Sequence, residues 1–311
     1  MHGCEETVMT KTILCVVELD NNPEVVVARA AWLAKLFDCE LELVLSEPTT
    51  NYLGESVAYI LEMQTLADSI RNEQDAMLES LAAVAEKQGV TVRSSVSTDR
   101  PEANAIVSIA DSCDAYLVVK GTHYHSPSER ASLAHTDWQL IRKLERPLWF
   151  VKPFDWQESP VVVAAVDPVH SHDKTASLDR EIVRSGQKLV DMCDGKLLLF
   201  HSYQRLEEIG ARVTWRIKPE KLITTQLDEK LRQEHRDALD GLANEFGIDP
   251  DAVHQMPGRT HELLPTFARA NGASLVVMGA LARSGLKQRI LGSTAAKTLD
   301  HVPCDVLVMH A

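Results

Sequence analysis

The chain has 311 residues, of which 45% are hydrophobic and 25% charged, and its formal net charge is −13. That length fits two domains of ordinary size, and the composition is that of a soluble globular protein able to build sizeable cores. The acidic balance argues against general binding to nucleic acid or to anionic membrane, because phosphates would be repelled. No uninterrupted apolar run approaches the roughly 18–20 residues of a membrane-spanning helix.

The opening "MHGCEETVMTKT" carries two glutamates and no apolar core. It reads as a disordered lead over 1–11 and not as a signal peptide. The first half then gives strands near 12–18, 40–46, 91–97, 115–120 and 147–152. In the long helix before Gly89, an apolar stripe of Met77, Leu81, Val84 and Ala85 is expected, with Gly89 as the stop. A further helix over 102–112 carries Ala103, Ile106, Val107 and Ala110 at helical spacing. The segment "PFDWQESP" at 153–160 has two prolines and mixed charge, and 154–160 reads as a linker.

The second half repeats the order, with strands near 161–166, 196–202, 250–255, 274–279 and 304–309. Gly89 to Gly247 and Gly121 to Gly279 are both 158 residues apart. That period is too long for a solenoid and fits duplication of a whole domain. Strands that alternate with helices and read as continuous apolar runs imply parallel sheets covered on both faces. The expected fold is therefore α/β, with two tandem doubly wound five-stranded parallel-sheet domains over 12–153 and 161–311. Six cysteines, at 4, 15, 39, 113, 193 and 304, form no C-x-x-C pair. They read as reduced thiols, several of them buried, in a cytoplasmic protein.

In such sheets ligands bind where strands end, at their carboxyl termini. The loop after the fourth strand of each half therefore matters most. In the second half it reads "MGALARSGLKQRILGST", with Arg283, Lys287 and Arg289 ahead of Gly292, Ser293 and Thr294. Glycine allows close backbone approach, and a helix opening at Ser293 offers unpaired N–H groups to a phosphate. Asp167, after the first strand, could accept hydrogen bonds from a base or sugar. A simple helix cap is the plainer explanation of the same residues.

In the first half the loop reads "KGTHYHSPSERASLAHTDW". Tyr124 and the Ala134-His135 pair stand where the other copy keeps small residues, and Glu18 ends the first strand. Nucleotide is not expected here. His123 and His125 would share a face if the chain stays extended, which is half of a zinc site, with Glu129, Glu18, Asp20 or His135 as further ligands. Solvated or hydrogen-bonded histidines are the plainer reading. The same holds for His170 and His172 in a polar loop and for His201 at a strand end. Trp138, Trp149 and Phe150, with the segment 49–63, raise a second idea, an apolar small molecule. Packing of core and interface is the plainer role for these aromatics.

The loop Gly279-x2-Ala282-x9-Gly292-Ser293 resembles the nucleotide-binding motif of the universal stress protein family, and "HTDWQLIRKLERPLWFVK" and "HVPCDVLVMH" are similar to that family's strand ends. The similarity extends over 12–310 and is greatest to tandem-domain members. The resemblance implies a universal stress protein, or adenine nucleotide alpha hydrolase-like, fold and an ATP or related adenine nucleotide with Mg²⁺ in the second half. It also implies that Asp167 contacts adenine, that Ser202, Met278 and Gly279 contribute strand-end contacts, and that Gly292, Ser293 and Thr294 hold phosphate. Ala282 departs from the family's glycine, and its methyl group would crowd the phosphates. The resemblance further implies an internal pseudo-dimer and leaves room for a further homodimer, with protein partners unspecified. No Walker A, nucleophile elbow or H-E-x-x-H motif is present, so any ATPase would be weak. A non-catalytic scaffold or metabolite sensor, with zinc or an apolar ligand in the first half, is the competing expectation.

Overall fold

The structure is a computed structural model that describes residues 11–46, 61–122, 135–169, 176–205, 224–279, 281–283, 289–291 and 293–310. The chain divides into two units, one formed by 1–123 and 143–153 and the other by 124–142 and 154–311.

The first unit holds β1 (Thr12–Val17), α1 (Pro23–Phe37), β2 (Glu40–Ser46), α2 (Leu61–Glu86), β3 (Val92–Ser97), α3 (Glu102–Ser112), β4 (Ala115–Gly121) and β5 (Leu148–Val151). Between the last two lies α4 (Thr136–Lys143), most of which groups with the second unit. The strands are parallel in the order β3-β2-β1-β4-β5. All six residues of β1 are buried, as a strand covered on both faces requires. Helix α1 packs on β1 and against α2, while α3 packs on β4.

The second unit holds β6 (Val161–Ala165), α5 (Ala176–Cys193), β7 (Lys196–Tyr203), α6 (Thr224–Glu245), β8 (Val253–Pro257), α7 (Thr260–Ala270), β9 (Ala273–Gly279), a hairpin of β10 (Leu281–Arg283) and β11 (Arg289–Leu291), α8 (Ser293–His301) and β12 (Asp305–Met309). Its parallel order, β8-β7-β6-β9-β12, matches that of the first unit. Helix α5 covers β6 and β9, α6 covers β7 and β8, and α7 packs on β7, β9 and α8. The linker is anchored on this unit: Trp156 Nε1 donates to Asp305 Oδ2 at 3.2 Å, and Ser159 Oγ donates to the Asp194 carbonyl.

The duplication is visible in the backbone. Gly89 and Gly247 follow α2 and α6 with φ of +84° and +65°. In each case the next residue's N–H reaches back five positions, Val90 to Ala85 and Ile248 to Ala243, closing the helix end. Two expectations shift. The buried stripe of α2 is Leu78, Leu81 and Ala85, while Met77 is 38% exposed. Met77, although four residues before Leu81, is turned roughly 100° around the helix from Leu78 and so falls at the edge of that face. The strand expected at 250–255 begins later, because Asp249 Oδ1 accepts the Asp251 N–H and Pro250 opens a 3-10 turn ahead of Val253.

No atom lies within 4 Å of a Cβ built at Gly89, Gly247 or Gly241. Gly89→Ala and Gly247→Ala should each lower the stability of their unit by about 1–2 kcal/mol through left-handed backbone strain alone. Gly241→Ala, inside α6, should raise it by roughly 0.5–1 kcal/mol. Urea denaturation midpoints check all three, and losses at all three sites would contradict this account.

Candidate functional site

Strand register brings the second unit's expected residues together. Ala165 of β6 lies beside Phe200 of β7 and Met278 of β9. Asp167, Ser202 and Gly279 therefore stand just beyond or at the carboxyl ends of three neighbouring strands. Asp167 is 8% exposed and Met278 is buried. Ser202 Oγ shares a 2.7 Å hydrogen bond with Thr260 Oγ1 at the start of α7. A Cβ added to Gly279 would meet Leu178 Cδ2 at 2.8 Å, so glycine lets α5 seat close to the end of β9.

The peptide joining Val166 to Asp167 is held at both of its polar atoms. Its N–H, on Asp167, donates to Asp179 Oδ1 of α5 at 3.0 Å. Its carbonyl, on Val166, lies 3.0 Å from His201 Nδ1 of β7. The Nε2 of His201 lies 2.7 Å from Nδ1 of His235 on α6, with the ring centroids 5.0 Å apart and the planes 17° from parallel. Asp179, His201 and His235 are all buried. Burial holds His235 below the usual imidazole range, opposed by the nearby carboxylates of Asp167 and Glu234.

Other expected residues are distributed differently. Ala282 lies in β10, paired with Ile290 of β11, so its segment is an antiparallel hairpin and not an open loop. Helix α8 opens at Ser293, with Thr294 following in its first turn. Lys287 and Gly292 lie outside the described residues, as do Tyr124, Glu129, Ala134, His123, His125, His170, His172 and most of 49–63. Among the described residues no group of three or more His, Cys, Asp or Glu is arranged to hold a metal. The Nδ1 of His135 accepts the Asp137 N–H at 3.3 Å, a cap on the start of α4. Trp138, Trp149 and Phe150 are fully buried and build core.

The first unit fills the equivalent address with its own side chains. Lys120, at the position matching Met278, is fully buried and donates through Nζ to Glu18 Oε2 at 2.6 Å and to the Gly121 carbonyl at 3.1 Å. Asn21 Nδ2 donates to the same Glu18 oxygen at 3.1 Å. The Asn21 side chain sits over the strand end, 2.9 Å from where a Cβ on Gly121 would lie. Sequence reading missed Lys120, Asp179 and His235. The available signal for Lys120 was a lysine closing an otherwise apolar strand where the duplicate has methionine.

Among the described residues no cysteine forms a disulfide. Cys15, Cys39 and Cys304 are buried, and burial pushes the Cys15 thiol upward. No described helix is long and apolar enough to cross a membrane.

Glu18→Gln should destabilise the first unit by about 3 kcal/mol, because it leaves the buried Lys120 ammonium without its countercharge. Lys120→Met combined with Glu18→Ala should recover most of that loss, and urea denaturation of the three proteins measures both effects. Acid should weaken the second unit. Burial lowers His235, His254 and His261, with Lys196 and Arg236 reinforcing it at His254, and Lys297, Arg259 and His301 at His261. A lowered histidine favours the fold above the unfolded value near 6.5 and loses that contribution as pH falls through it. Denaturation midpoints should therefore drop between about pH 7 and pH 5, and His235→Gln should shallow the slope.

Comparison with known proteins agrees with the duplicated architecture. The model of the universal stress protein family matches residues 9–152 and again 161–310. Universal stress protein E of Escherichia coli is 23% identical over 305 residues, covering 97% of this chain and 94% of that protein. The universal stress protein E homolog of Haemophilus influenzae is 25% identical over 303 residues, covering 96% of each. Among solved structures, a functionally unknown protein of Pseudomonas aeruginosa PAO1 superposes with a TM-score of 0.71 at 22% identity, covering 96% of this chain and 92% of that one. A universal stress protein of Archaeoglobus fulgidus gives 0.62 at 15% identity, covering 97% of both. With two matches that span nearly all of its length, the chain belongs to the universal stress protein family, a family of stress-response proteins.

Proposed function

We propose that the chain is a cytoplasmic binding protein that takes an adenine nucleotide, or a related small molecule, in its second unit. The observation that carries this reading is the convergence of Asp167, Ser202, Met278 and Gly279 at the carboxyl ends of β6, β7 and β9. In this reading Asp167 accepts hydrogen bonds from the base, Ser202 and Met278 border it through their backbone, and Gly279 borders the phosphates. Gly292, Ser293 and Thr294 hold the phosphates with Mg²⁺, aided by the N-terminal end of α8. Ala282 narrows that end of the site. Asp167 fits the role, because its peptide is fixed on both sides and its carboxylate lies at the strand end. Among the described residues no general base accompanies these groups, and in this reading hydrolysis is at most slow.

The first unit supports the same division of labour. Its strand ends carry the Lys120–Glu18 ion pair with Asn21 above it, and that arrangement disfavours a nucleotide there.

Isothermal titration with ATP and AMP tests the proposal. Binding should occur once per chain, weaken at least about tenfold in Asp167→Ala, as expected for a lost buried hydrogen bond to a charged acceptor, and vanish in Gly292→Asp. Binding unchanged by Gly292→Asp, or absent from the wild type, would sink the reading. Ala282→Gly should tighten ATP more than AMP, since the methyl group lies toward the phosphates.

A further inference from the structure

The hydrogen-bonding roles in the chain of contacts behind Asp167 follow from its chemistry. A carbonyl oxygen only accepts, so His201 Nδ1 must carry hydrogen to bond Val166 at 3.0 Å. With neutral imidazole, His201 Nε2 is then a lone pair, and His235 Nδ1 must donate across the 2.7 Å contact. A first added proton goes to His235 Nε2 and leaves every bond in place. A second, on His201 Nε2, would set two N–H groups against each other. Three elements thus converge on one peptide plane: Asp179 of α5 on its nitrogen, His201 of β7 on its oxygen, and His235 of α6 behind His201.

We propose that Asp179, His201 and His235 are positioning residues for the ligand held at Asp167, and that the protonation state of the histidine pair sets how well that ligand is held. The inference rests on the reading of Asp167 as a ligand contact. The groups facing His235 are Asp167 after β6, His201 and Tyr203 on β7, and Glu234 on its own helix, with the Tyr203 ring 5.3 Å from the imidazole. In the neutral pair the peptide is fixed and the Asp167 carboxylate keeps its full acceptor strength. A charged His235 draws on that carboxylate, and in a doubly charged pair the His201–His235 contact turns repulsive and pushes the His201 ring off its position. Ligand affinity should therefore fall on the acid side.

The experiment measures ATP affinity from pH 7.5 to pH 5.5 and amide exchange at Asp167, both on the full chain. Wild type should lose roughly tenfold more affinity across that range than His235→Gln, in keeping with one charge-dependent hydrogen bond. His201→Phe keeps an aromatic ring beside His235 but cannot donate, and should weaken binding about tenfold at pH 7.5. His201→Gln, whose amide can donate, should restore most of it. Exchange at the Asp167 N–H should accelerate in His201→Phe and in Asp179→Leu, with thermal melts reporting that each variant is folded. If nucleotide binds but neither its affinity nor its pH profile responds to these changes, the positioning role is overturned and the nucleotide reading stands. If wild type binds no nucleotide, the nucleotide reading falls. Exchange then decides whether the three side chains hold this peptide, and an unchanged rate at Asp167 overturns that as well.

Discussion

A parallel strand buried on both faces can offer chemistry only where it stops. Nearly all of β1, β6 and β9 is buried, so their side chains are committed to packing. What remains available is the row of residues just past their carboxyl ends. In both units the central pair of strands, β1 with β4 and β6 with β9, ends beside the loops that sequence reading singled out. The fold thus sets the address, and a few substitutions at that address decide what each unit does with it.

The two copies answer differently. In the second, an aspartate follows the first strand, and neighbouring side chains are used to fix its backbone. In the first, a glutamate at the end of the first strand is joined by a lysine from the fourth, and the two charges satisfy each other within the fold. Both solutions obey the same rule: a buried charge or peptide must be met by a partner. In the first unit that partner is a lysine for a glutamate; in the second it is a pair of side chains that hold a peptide.

Much of the architecture was legible because it is written locally. The sequence pattern located the ten parallel strands of the two units, and the paired glycines fixed the duplication, since a left-handed helix end needs a particular residue at a particular step. Shifts of detail came from competition between neighbouring signals. Asp249 and Pro250 delayed β8, and one step of helical phase put Leu78 in place of Met77. The site was less legible. Asp167, Ser202 and Gly279 could be placed by strand order, yet what supports Asp167 could not. His201 and His235 are 34 positions apart, Lys120 and Glu18 are 102 apart, and nothing in either local pattern names the other. A lone histidine at a strand end has the same sequence signature whether it is solvated or part of a buried relay.

The ion pair of the first unit has a historical consequence. A site lost to an apolar plug can be regained one small substitution at a time, with each intermediate tolerable. An address filled by a buried lysine and its glutamate cannot be emptied that way, because changing the glutamate alone strands the lysine's charge inside the protein. The pair therefore acts as a ratchet. A path to an open first-unit strand end that changes Glu18 first would pass through an unstable intermediate.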